Sequence, residues 1–66
     1  MDPTSTYLDM QEYMKEGAHE DAREAALNLK LWLSKGGFYP AIASKLDVDL
    51  KVHNVLYRTR YLKPVS

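Results

Sequence analysis

Cysteine is absent from the 66 residues, so no disulfide can staple the fold and no thiol can serve as nucleophile. The lack of thiols fits a reducing cytoplasm, the compartment expected for this chain. No apolar run approaches the roughly 20 residues of a membrane span, and Met1-Asp2-Pro3 lacks the basic-then-apolar pattern of a secretory signal. Glycine is scarce: Gly36-Gly37 lacks the flanking glycines and Lys-Ser/Thr of a phosphate loop. Only two histidines occur, 34 positions apart, a spacing that suggests no metal site. Carboxylates pair only at exposed helical spacing, as at Glu12 and Glu16. A chain this short buries only about 60% of its unfolded surface, which leaves little room for a catalytic pocket. The expectation is a single non-enzymatic domain spanning residues 1–66, without cofactor or metal.

Net charge is also lacking: nine acids balance nine bases. The two signs are nevertheless separated along the chain. Residues 1–29 hold seven acids against Lys15 and Arg23, a balance of −5, and residues 30–66 hold seven bases against Asp47 and Asp49, a balance of +5. Such asymmetry points to a polyanion-binding half, or to two halves that attract each other within the fold.

What is present is helical periodicity. Residues 1–5 read as a flexible arm, with Thr4, Ser5 and Thr6 all competent as N-caps. A helix over 6–16 places Tyr7, Met10 and Met14 on one face and ends at Gly17. A helix over 19–35 carries Ala22, Ala25, Ala26, Leu29, Trp32 and Leu33 in one stripe, with acids in its first turns and Lys35 in its last. Leu27 and Leu31 fall on its opposite side. The Tyr7/Met10/Met14 face is expected to cover them; the alternative is a homodimer seam through Leu27/Leu31 or the N-terminal helix. Pro40 suits the first position of a short helix over 40–46, with Ile42 and Leu46 inward. Asp47-Val48-Asp49 then reads as a turn that caps a last helix over 50–62. In that helix Val52, Val55, Leu56, Thr59 and Leu62 form the core side. Asn54, Tyr57, Arg58 and Tyr61 face outward, flanked by Lys51, His53 and Arg60, and this side has no acid at all.

The order Ile42-Ala43, Leu46, Val48, Val52, Val55, Leu56 resembles the helix-turn-helix of small bacterial and phage DNA-binding regulators. Ala43 occupies the place where that family sets a small residue to let its two helices cross closely. The resemblance covers about residues 39–62, with Asp47 where the family commonly has glycine and Val52 one place early. It implies an all-α bundle of three to four helices containing a helix-turn-helix, acting as a sequence-specific transcriptional regulator on double-stranded DNA. On that reading Lys51, Asn54 and Arg58 contact bases, while Lys35, Lys45, Arg60 and Lys63 hold phosphates. The competing expectation is a small regulator that docks on a larger host protein. Seven aromatic residues, among them Trp32, Phe38, Tyr39, Tyr57 and Tyr61, would supply its anchors.

Overall fold

Three helices and their connections make up residues 1–62, the residues described by the computed structural model: α1 (Pro3–Glu16), α2 (His19–Ser34) and α3 (Lys45–Arg58). The fold is all-α, and no strand forms among the described residues.

The first helix starts earlier than its run of hydroxyls implies. Asp2 is the N-cap: its carboxylate accepts from the Thr4 amide (3.0 Å) and from the Ser5 hydroxyl (3.0 Å). Pro3 occupies the first turn, where a missing amide costs nothing, and is itself buried. Residues 3–5 are therefore helix rather than arm. At the other end Gly17 takes φ +76°, its amide reaches the Met14 carbonyl, and the Ala18 amide reaches the Tyr13 carbonyl. That pair of bonds satisfies two carbonyls which the helix end leaves free. The same motif closes α2: the Gly36 amide bonds Leu33 O and the Gly37 amide bonds Trp32 O, with Gly36 at φ +85°.

The second half departs further from expectation. Residues 41–43 form turns, not a helix, and Asp47-Val48-Asp49 lie inside α3. Ser44 decides this. Its backbone is extended (ψ 159°) and its hydroxyl accepts from the Asp47 amide at 3.1 Å, so it starts one uninterrupted helix of 14 residues. Two short helices would incur the nucleation cost twice for fewer backbone bonds. Moving the helix start to Lys45 also changes what is buried. Val48 is fully buried, while Ile42 and Leu46, expected inward, are 58% and 66% exposed. The core side at Val52, Val55, Leu56 and Thr59 is as the periodicity predicts.

One core is shared by all three helices: Tyr7 and Met10 from α1, Ala22, Ala25, Ala26 and Leu29 from α2, and Val48, Val52 and Val55 from α3. The alanines leave α2 thin on this side, so that both neighbours approach it closely. Tyr7 and Met10 therefore meet the alanine stripe and do not cover Leu27 and Leu31, which stay 44% and 54% exposed. Arg23 ties α2 to the end of α3. Its guanidinium donates to Leu56 O and to Thr59 Oγ1, both at 3.3 Å, and the fully buried Thr59 hydroxyl donates to Val55 O at 2.7 Å. A cation there also complements the negative end of the α3 dipole.

Residues 35–44 fold back over α3. Trp32 Nε1 donates to Phe38 O at 3.0 Å, Pro40 is buried, and the Tyr39 hydroxyl donates to Asp49 Oδ1 at 3.1 Å. That hydrogen bond raises the Tyr39 phenol above its ordinary range. Lys45 Nζ lies 5.6 Å from the centre of the Tyr39 ring, close enough for a cation–π attraction.

Candidate interaction surface

The side of α3 that faces away from the core carries large apolar groups. At 100° per residue, Leu46, Leu50 and Tyr57 fall almost diametrically opposite Val48, Val52, Val55 and Thr59. Their exposures are 66%, 56% and 57%, and Tyr61 just beyond the helix is 62% exposed. Among the described residues, ten large hydrophobic side chains are exposed, against nine that form the core. Single exposed hydrophobics are ordinary, whereas an aligned row on one helix is an apolar patch that calls for an explanation.

Tyr61 and Tyr57 are held in place. The Tyr61 hydroxyl is hydrogen-bonded to His19 Nδ1 and its ring meets the imidazole edge-on, with centroids 6.0 Å apart. This fastens the chain after α3 to the first residue of α2. The Arg60 guanidinium carbon sits 3.9 Å from the Tyr57 ring centre, and Nη1 donates to Tyr57 O at 2.6 Å. Both aromatic anchors thus lose little side-chain freedom on meeting a partner.

The residues expected to read DNA divide into two groups. Lys51, Asn54 and Arg58 are all exposed and share one edge of α3, at spacing i, i+3, i+7. An acidic residue, Asp47, begins that same edge one turn before Lys51, so the edge is not free of acids once α3 extends to Lys45. Asp47 also lies close enough to Tyr7 to add to the burial that raises the Tyr7 phenol. Of the expected phosphate contacts, Lys35 is the C-cap of α2 and Lys45 opens α3 beside Tyr39, at least about 120° around the helix from the Lys51 edge. Arg60 is occupied with Tyr57, and Lys63 lies outside the described residues. The basic groups are therefore spread over several sides of the molecule and do not form one patch.

The concave features are shallow. One is lined by Leu50, Lys51, His53, Asn54 and Tyr57, along the outer face of α3 itself. Another, between α2 and α3, is lined by Lys30, Leu33, Asp49, Val52, His53 and Leu56. No cluster of three or more metal-ligating side chains occurs among the described residues, and no helix there is long and apolar enough to cross a membrane. Tyr61, expected on the outer face of α3, lies past the helix end and is bonded to His19 of α2. Sequence periodicity located Tyr57 on that face but missed Leu46 and Leu50. Their signal was the 46, 50, 57 spacing, which is visible only if the helix is started at Ser44. No protein-family model matches the chain, and comparison with curated proteins and with solved structures finds no match.

Proposed function

We propose that this protein is a small helical regulator that docks on a larger protein through the outer face of α3. The observation that carries the reading is the exposed row Leu46, Leu50 and Tyr57 opposite the core side of the same helix. Such aromatic and aliphatic anchors dominate the energetics of protein interfaces. Tyr57 is preorganised by the stacked Arg60, and Tyr61, past the end of the helix, by His19. The role is one of binding, and no catalysis is assigned to it.

Capture with the wild-type protein and with Leu50→Glu and Tyr57→Glu as baits tests this reading. These side chains are exposed, so both variants should keep the wild-type far-UV circular dichroism. A partner held by the wild type should be lost from both. Recovery of the same proteins by all three baits would sink the proposal.

A second reading, sequence-specific binding of double-stranded DNA by α3 without the helix-turn-helix expected over 39–62, is favoured by one observation. Lys51, Asn54 and Arg58 form a single exposed edge that offers guanine- and adenine-pairing groups. Retention on a DNA column that falls steeply with salt, and that is lost in Asn54→Ala/Arg58→Ala, supports it. Absence of retention near physiological salt leaves the protein-docking reading alone.

A further inference from the structure

The outer face of α3 is complementary to its own reverse. About a midpoint between His53 and Asn54, Leu50 corresponds to Tyr57, apolar to apolar. The edge bearing Asp47, Lys51, Asn54 and Arg58 is likewise complementary when reversed, its one acid falling opposite its terminal base. Its acid lies as far before Lys51 as its base lies after Asn54, about a midpoint only one residue away. A self-complementary helical face of this kind fits a copy of itself turned end for end.

We propose that α3 pairs with α3 of a second copy, antiparallel, about a two-fold axis near His53. In a two-fold antiparallel pair, the same edge of each helix meets itself in reverse. Asp47 then faces the partner's Arg58 and Lys51 faces the partner's Asn54. Leu50 packs on the partner's Tyr57, and Tyr57 on the partner's Leu50. A parallel pair would set this edge against the partner's other edge, away from the partner's Arg58, and it would align the helix dipoles unfavourably. The opposite edge contributes less, because Asp49 is engaged by Tyr39 and Arg60 by Tyr57. α1 and α2 lie on the far side of α3 and leave the approach open.

The size is adequate for a weak, reversible dimer. Leu46, Leu50 and Tyr57, exposed by 56–66% at roughly 200 Å² each, bring about 360 Å² per copy into contact, and the exposed edge from Asp47 to Arg58 adds to it. The apolar total of about 700 Å², with that edge added, falls among the weak and transient interfaces below about 1,200 Å². This inference goes beyond the docking reading: it gives the face an occupant of its own, with which any larger partner must compete.

The absence of native cysteine makes the register directly testable. In the antiparallel pair His53 lies within about one residue of its counterpart along the axis, whereas Leu46 is about 22 Å from its own. Under mild oxidation His53→Cys should form a disulfide-linked dimer at least tenfold faster than Leu46→Cys. Equal rates, or faster linkage through Leu46→Cys, would overturn the antiparallel register. Sedimentation equilibrium of the intact chain should show a monomer–dimer equilibrium in the micromolar range, and Leu50→Glu should shift it at least tenfold toward monomer. Circular dichroism verifies that the variant is folded. A wild-type protein that stays monomeric to millimolar concentration overturns the inference. If that monomer still captures a protein partner through Leu50 and Tyr57, the docking reading survives; a dimer that captures none leaves only the pairing.

Discussion

At the scale of single residues, Gly37 and Asp2 illustrate two different constraints. A Cβ on Gly37 would come within 2.5 Å of Trp32 Cε2 and Nε1. The indole cannot simply retreat, because its Nε1 is bonded to Phe38 O and its ring rests edge-on against Phe38. Gly37→Ala should therefore destabilise the protein by about 1–3 kcal/mol, the usual range for overpacking, measured as a lower urea midpoint. Asp2 acts through charge and hydrogen bonds. The Ser5 hydroxyl, more than the Thr4 and Ser5 amides, holds its carboxyl below the ordinary value. A depressed folded pKa means the stabilisation is present above the unfolded pKa and is lost as pH falls through the folded one. In Asp2→Asn the cap persists without a titrating group. The wild type should thus lose stability more steeply than Asp2→Asn below about pH 4, read from thermal midpoints across that window. Parallel curves for the two proteins would remove the cap from the account. Arg23 belongs to this scale too: sequence alone gives no sign that one arginine bridges Leu56 O and Thr59 Oγ1.

For the elements, the continuity of α3 is the decisive property, since it determines which side chains face outward. A turn at 47–49 would tolerate proline, whereas a helix interior would not. Asp49→Pro removes a backbone bond and crowds the preceding turn, so it should cost about 3 kcal/mol or more and lower the helical circular dichroism signal. A fully folded Asp49→Pro protein would restore the two-helix division of this segment. Helix ends were the least legible feature. Several residues in each connection can cap: Thr4, Ser5 and Thr6 against Asp2, and Asp47 and Asp49 against Ser44. The choice was made by which neighbouring groups each side chain could reach once the core had formed. The stops at Gly17 and Gly36 were legible, because only glycine enters the left-handed region without penalty.

For the whole molecule, the core is made largely of small side chains, three alanines and three valines among nine residues. Close approach of α1 and α3 to α2 depends on them. Ala26→Leu, at a fully buried position, should destabilise by about 1–3 kcal/mol through overpacking, visible as a fall in the thermal midpoint. A neutral effect would show that the helices can part without loss. The radius of gyration, 11.1 Å, matches the roughly 11 Å expected for a chain of this length, so the three helices are closely packed despite the small residues. Apolar periodicity by itself determined the all-α class, the existence of α1 and α2, and the Val52/Val55/Thr59 side of α3, because a stripe repeating every 3.6 residues must be buried wherever it lies. It could not determine the destination of a second stripe. Leu27 and Leu31, and Leu46, Leu50 and Tyr57, are as periodic as the core residues. Only the tertiary structure decided that they stay outside, because each helix offers one face to a core that three helices fill. The outer row on α3, and with it the surface on which function is proposed, exists because that core closed with valine and alanine and left the larger side chains facing solvent.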